Sequence, residues 1–194
     1  PGAAAREKAG RIEPDIIAEL GELGILGATT PAEWEGSELD AVTYALLLEE
    51  IAAGDCSVST LVSVHNSPTC AVLDRFGTDA QKDRWLRPLA RGEHVGSFAL
   101  TEPQAGSDAS NLRTRAVKKG DRYVVNGAKQ FITSGSVPGS TVLFAMTDPE
   151  AGKRGMSAFI VAKDAPGYVI ARTEEKLGQK ASETCALMFE DMEI

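Results

Sequence analysis

Apolar residues fall at helical spacing through the first half of the chain and at strand spacing through the second. Ile12, Ile16, Ile17, Leu20, Leu23 and Leu26 line one stripe of a predicted helix over residues 4 to 26, whose end Gly21 and Gly24 weaken. Thr29 to Leu39, with Pro31 and Gly36 among polar residues, reads as a loop. Asp40 is placed to cap a second helix running to Ala53, with Val42, Ala45, Leu46 and Ile51 as its buried face. Cys56 to Leu73 forms a third helical segment carrying Val58, Leu61, Val62, Cys70 and Val72, with His65-Asn66-Ser67-Pro68 in its middle. Thr78 and Gln81 have the spacing of a capping box that opens a fourth helix to Ala90. Trp85, Leu86 and Leu89 form its core face, and Gly92 ends it.

From Val95 the period drops from 3.6 to 2. Strands are predicted at 96–101, 111–119, 122–126 with 129–133, 141–147, 156–162, 168–173 and 185–194. Pro103 stops the first of them because it has no N–H to give a ladder. Lys119-Gly120-Asp121 and Asn126-Gly127 are turn contexts, and Asp148 to Gly155 reads as a mobile polar loop. About seven short strands with frequent turns predict a small barrel or sandwich. The expected fold is therefore α+β, an all-α helical domain over residues 1–94 followed by a β-barrel or β-sandwich domain over 95–194.

Composition narrows the function more than the fold. At 194 residues and 43% hydrophobic content the chain can bury a sizeable core. A net charge of -8 without a basic stripe disfavours nucleic acid. Cys56, Cys70 and Cys185 are an odd, widely spaced set, expected to be reduced thiols rather than a disulfide framework. No Cys or His spacing suggests a metal, and no apolar run approaches the roughly 18 residues of a membrane span. Pro1 to Arg6 has no apolar signal region and reads as a trimmed start.

The candidate chemistry lies between residues 95 and 135. After the short strand ending at Leu100 and Thr101, Gln104-Ala105-Gly106-Ser107-Asp108 must turn. Such a loop gathers backbone N–H groups into a cradle for an anion, or is simply a turn. Phe131 and Thr133, two apart on an extended segment, share a face and offer a ring and a hydroxyl to a flat heteroaromatic ligand. The alternative is a half-buried strand with Phe131 in the core. Glu49 and Glu50 point about 100° apart on a helix and read as solvated or intersubunit ion-pairing groups, not a proton-sharing pair. His65 and His94 read as structural histidines, and Cys185 as a buried strand residue rather than a nucleophile.

Thr101-Glu-Pro-x-Ala-Gly-Ser-Asp108 followed by Asn126-Gly-x-Lys-x-Phe-Ile-Thr133 resembles the flavin-binding signature of the acyl-CoA dehydrogenases. The resemblance extends through Glu49-Glu50-Ile51-Ala52, Ser63-Val-His-Asn-Ser67, Phe76-Gly77-Thr78, Gly92-Glu93, Lys176-Leu177-Gly178 and Phe189-Glu190-Asp191, with the Ser63–Ser67 run closest to the short-chain (butyryl) branch. There are departures: Ser37 follows Gly36 where the family carries a second glycine, Phe131 stands where many members carry tryptophan, and Cys185 stands at an arginine position.

The resemblance implies FAD as cofactor, held by Phe98, Leu100, Thr101, Gly106, Ser107, Phe131, Ile132 and Thr133, with Ser107 and Ser182 meeting an acyl-CoA substrate. It places His65 and Ser67 near the acyl pocket. It also implies α,β-dehydrogenation of a short- or branched-chain acyl-CoA in fatty acid β-oxidation, a homotetramer, an electron-transfer flavoprotein as acceptor, and a bacterial cytoplasmic or mitochondrial matrix location. The family's catalytic glutamate sits in a C-terminal four-helix domain, and the sequence stops at Ile194 where the linker to it would start, so the base is expected beyond Ile194 and no catalytic residue is assigned. An acyl-CoA oxidase or flavin monooxygenase on the same fold, or a flavin- or CoA-binding fragment without activity, are the alternatives.

Overall fold

The computed structural model describes residues 2–194. These divide into two compact units, one running to Gly96 and including Glu175–Glu183, the other made of Ser97–Glu174 and Thr184–Ile194.

The first unit is helical. The single helix expected over residues 4 to 26 is two, α1 (Ala3–Ala9) and α2 (Pro14–Glu22). Gly10 takes a left-handed conformation that closes α1, and Pro14, with no N–H to donate, opens α2. Helix α3 (Ala41–Gly54) begins where predicted, with the Asp40 carboxylate accepting the N–H groups of Val42 and Thr43. Its expected buried face is not buried: Val42 is 70% and Leu46 57% exposed, and Ala45 is exposed too. Asp55 caps α4 (Cys56–Val64) in the same way and also takes a 2.7 Å hydrogen bond from the nearly buried Arg6.

Helix α4 runs through a π-turned stretch, His65–Cys70, into α5 (Ala71–Phe76). The cause is Pro68. Lacking an N–H and crowding the preceding turn, it forces the ladder to widen to i→i+5 rather than break. The Thr69 hydroxyl adds a 3.1 Å bond to the Val64 carbonyl. The Thr78–Gln81 capping box is present and opens α6 (Asp79–Gln81), which continues through a second π-turned stretch into α7 (Arg87–Ala90). Leu26, Leu61, Val62, Leu73, Leu86 and Leu89 make the core of this unit.

The second unit is one seven-stranded, mostly antiparallel sheet, curled as a half-barrel rather than closed. Its strands are β1 (Val95–Ala99), β2 (Arg115–Lys119), β3 (Arg122–Thr133), β4 (Gly139–Met146), β5 (Met156–Ala162), β6 (Tyr168–Thr173) and β7 (Thr184–Glu193). They run in the order β1-β4-β2-β3-β7-β6, with β5 paired antiparallel to β4. Asn126-Gly127, expected as a turn, instead continues one long β3, opposite a bulge whose extra residue lies on β7. Asn126 exchanges hydrogen bonds with Asp191 of β7, and Gly127, at φ 150°, passes so close to Thr114 that a Cβ would lie 2.6 Å from its Cα. The segment before Arg115 is not strand, and the polar loop after Asp148 coils into short helical turns that kink at Gly152. Val125, Ile132, Leu143, Leu187, Phe189 and Met192 fill the inner face.

Candidate functional site

Two stretches of the second unit that are far apart in sequence meet at a buried ion pair. Past β1, the chain turns tightly at Pro103-Gln104, with Glu102 and Ala105 exchanging two 3.0 Å backbone hydrogen bonds. Lys129 of β3 reaches this turn. Its ammonium donates to the Leu100 carbonyl at 2.9 Å and to Glu102 Oε1 at 2.8 Å, and the two side chains are 0% and 2% exposed. Glu102 is saturated: Oε1 also accepts the Thr114 N–H at 3.0 Å, while Oε2 accepts the Arg113 N–H and the Gln104 amide, both at 2.6 Å. The neighbouring Gln130 N–H donates to the Thr101 carbonyl at 2.8 Å. The turn, β3 and the segment leading into β2 are thus locked to one carboxylate.

Burial raises the pKa of Glu102, but the bonds from Lys129, Arg113 and Thr114 together outweigh it and hold the carboxyl below its ordinary value. Burial pulls the Lys129 ammonium down, against the opposing pull of Glu102. An isolated charge of either sign would be costly here, which is why the pair comes with a full set of hydrogen bonds.

Immediately beyond Lys129 the ladder slips, and Phe131 adopts a left-handed backbone at φ 60° with its side chain 63% exposed. The reading that put this ring in the core is therefore overturned. Ile132 turns into the core at 1% exposure, and Thr133 is half-buried. The turn that follows is clamped at its carbonyls. Ser134, itself left-handed, accepts from Ser97 Oγ at 2.9 Å and Lys163 Nζ at 2.7 Å, Val137 accepts from Lys163 at 2.8 Å, and Gly135 accepts from the Tyr168 hydroxyl at 3.1 Å.

The remaining sequence candidates separate. Phe98, half-buried in β1, packs its ring 5.2 Å from that of Phe144. Leu100 and Thr101 are half-buried, and Gly106 and Ser107 are exposed. Ser182 lies in the other unit with its side chain buried, its N–H on Gln179 and its carbonyl taken by Lys176. His65 is a structural residue of the helical unit: Nδ1 accepts the Gly96 N–H at 3.0 Å, which puts the ring proton on Nε2, 3.2 Å from the Leu89 carbonyl. Ser67, His94, Glu49 and Glu50 are exposed. Cys185 is fully buried in β7, and all three cysteines are free thiols. Among the described residues no cluster of His, Cys, Asp and Glu could hold a metal, and no helix is long and apolar enough to cross a membrane.

Sequence reasoning quoted Glu102 and Lys129 within their motifs but gave them no role. The signal was available: counting by two from Val125 through Gly127 puts Lys129 on the inward face, where an ammonium needs a carboxylate.

A helical unit followed by a curled sheet whose Thr-Glu-Pro turn is tied to an Asn-Gly-x-Lys strand defines a class of protein. Family models described as acyl-CoA dehydrogenase, N-terminal domain, and acyl-CoA dehydrogenase, middle domain, match residues 1–93 and 97–192. The chain belongs to the acyl-CoA dehydrogenase family. It is 40% identical over its whole length to an acyl-CoA dehydrogenase of Bacillus subtilis, covering 51% of that protein. The solved butyryl-CoA dehydrogenase of Megasphaera elsdenii superposes with a TM-score of 0.91 at 37% identity, over 100% of this chain and 52% of that one. A glutaryl-CoA dehydrogenase from Mycobacterium smegmatis, solved in complex with FADH2, gives 0.92 at 32% identity over 100% and 49%. The chain thus spans about half the length of the relatives it matches, which include bacterial and mitochondrial enzymes.

The residues present fit a flavin. Phe131 presents a largely exposed aromatic ring on a left-handed backbone, a surface on which a flat heteroaromatic ring can stack. Ile132 fits only through its main chain, since its side chain belongs to the core.

Proposed function

We propose that this chain is the flavin-holding part of an FAD-dependent acyl-CoA dehydrogenase converting a short- or branched-chain acyl-CoA to the trans-2-enoyl-CoA. The observation that carries the reading is the Lys129–Glu102 junction, which ties both halves of the motif together and leaves Phe131 projecting from it. In this reading residues 1–94 form a helical domain and 95–194 the flavin domain. Phe131 would stack on the ring system, Leu100 and Thr101 would meet its pyrimidine edge, and Thr133 would reach toward N5. Phe98 and the main chain of Ile132 would line the site, and Gly106 and Ser107 would pass the pyrophosphate.

When bound, FAD supplies an acceptor for the hydride that leaves the β-carbon of the thioester. The part of residues 2–194 is to bind, orient and exclude water, with Ser107 on the acyl-CoA. The α-proton's acceptor is assigned to none of them; the family resemblance puts that carboxylate in a domain beyond Ile194. A homotetramer delivering electrons to an electron-transfer flavoprotein, in a bacterial cytoplasm or mitochondrial matrix, completes the proposal.

The test is the visible spectrum of the full-length natural protein with FAD, under anaerobic conditions, before and after a panel of short acyl-CoAs. Bleaching of the oxidised flavin band is expected with at least one. Protein that cannot be loaded with FAD sinks the reading, and rapid peroxide formation in air would reassign it to an oxidase.

A further inference from the structure

The Lys129 ammonium is spent on more than an ion pair. Its second bond, 2.9 Å to the Leu100 carbonyl, falls on the peptide that joins Leu100 to Thr101. Among the described residues no peptide is cis, so the Thr101 N–H of that same unit points opposite to the carbonyl, away from the buried ammonium. A cation on a carbonyl oxygen draws electron density through the amide and makes its N–H a stronger donor. The unit is held from its other end as well, since the Thr101 carbonyl takes the Gln130 N–H at 2.8 Å and the next residue is Glu102 itself.

We propose that Lys129 is a positioning residue of the flavin site: it fixes and polarises the Leu100–Thr101 peptide, making the Thr101 N–H a strengthened donor for a ring edge that gains negative charge on reduction. Glu102 holds the ammonium in place and keeps the site's net charge unchanged. The inference rests on the flavin reading above and deepens it, because a donor strengthened in this way favours the reduced cofactor over the oxidised one. A purely structural ion pair would leave that ratio alone.

The experiment compares dissociation constants for oxidised and reduced FAD by anaerobic spectroscopic titration of the full-length natural protein. Lys129→Met combined with Glu102→Gln removes both charges together, so that neither is left buried alone. It is expected to weaken reduced FAD relative to oxidised FAD by up to about fivefold. Lys129→Gln combined with Glu102→Gln, which also leaves no lone charge but keeps a neutral donor near the Leu100 carbonyl, is expected to fall between this and wild type, and it serves if the first variant does not fold. Thermal unfolding without FAD separates lost stability from altered preference. A folded variant of either kind with the wild-type ratio overturns the role of Lys129. Failure of the wild-type chain to take up FAD overturns instead the flavin reading on which the inference stands.

Discussion

Phe131 offers the sharpest division between a structural and a binding role. A phenylalanine side chain fully removed from water contributes about 1.5–3 kcal/mol. Phe131 is 63% exposed, so it retains about a third of that, on the order of 0.5–1 kcal/mol. Against this stands its left-handed backbone, which costs a residue of this type roughly 1–2 kcal/mol and which asparagine adopts more readily. The two nearly cancel. Phe131→Asn should therefore change the unfolding free energy of the apoprotein by less than about 1 kcal/mol, measured by urea denaturation. Phe189, 2% exposed and edge-on to Tyr168, provides the contrast, since Phe189→Ala should cost about 3–5 kcal/mol. The same Phe131→Asn variant should lose stacking worth about 0.5–1.5 kcal/mol beyond contact area, weakening FAD by roughly twofold to tenfold or more in a fluorescence titration. A loss of more than about 2 kcal/mol in the apoprotein would return the ring to the core. Unchanged FAD affinity would remove it from the site.

Other consequences can be checked on the same material. Glu102 has a folded-state pKa below its ordinary value, so the stability its charge confers is fully present above the usual carboxylate range and is lost as pH falls through the lower folded value. Glu102→Gln should flatten the dependence of unfolding free energy on pH in that acid window, and an unchanged slope would show that other carboxylates set it. Gly127→Ala should destabilise by at least about 2 kcal/mol, because a Cβ there meets the Thr114 backbone at 2.6 Å and φ is 150°; a neutral effect would contradict this close approach. Thr78→Ala should cost about 1 kcal/mol through loss of the capping box, readable as a lower thermal midpoint.

The sequence was most legible where a local rule acts alone. Asp40 and Thr78 each start a helix by their own hydrogen-bonding capacity, as expected, whereas the first strand ends at Ala99, ahead of the expected stop at Pro103. It was least legible where a distant partner decides. Asn126-Gly127 has the local preference of a turn, but Asp191 offers Asn126 two hydrogen bonds from across the sheet, and the chain stays extended opposite a bulge. Val42 and Leu46 have the period of a buried face, yet a period states only that a face is apolar, not that this chain covers it. At the candidate site, the glycine, hydroxyl and aromatic positions were readable as motif, whereas the bond from Lys129 to a main-chain carbonyl across 29 residues was not.

The connection between β6 and β7 has a consequence for how such a protein can be recombined. Glu175–Glu183 leaves the sheet and is counted with the helices, where Gln179 receives the Thr60 hydroxyl at 2.7 Å and the Lys180 N–H meets Glu7 at 2.7 Å. A crossover between two related genes at Gly96 would therefore transplant the sheet together with a foreign piece of the helical half, and separate Gln179 and Lys180 from the residues they were selected to meet. Chimeras that join at three points, with this short segment kept from the helical parent, should express and fold better than those with a single joint. In the inheritance of this fold the unit of exchange is not the contiguous stretch of gene but the interrupted one.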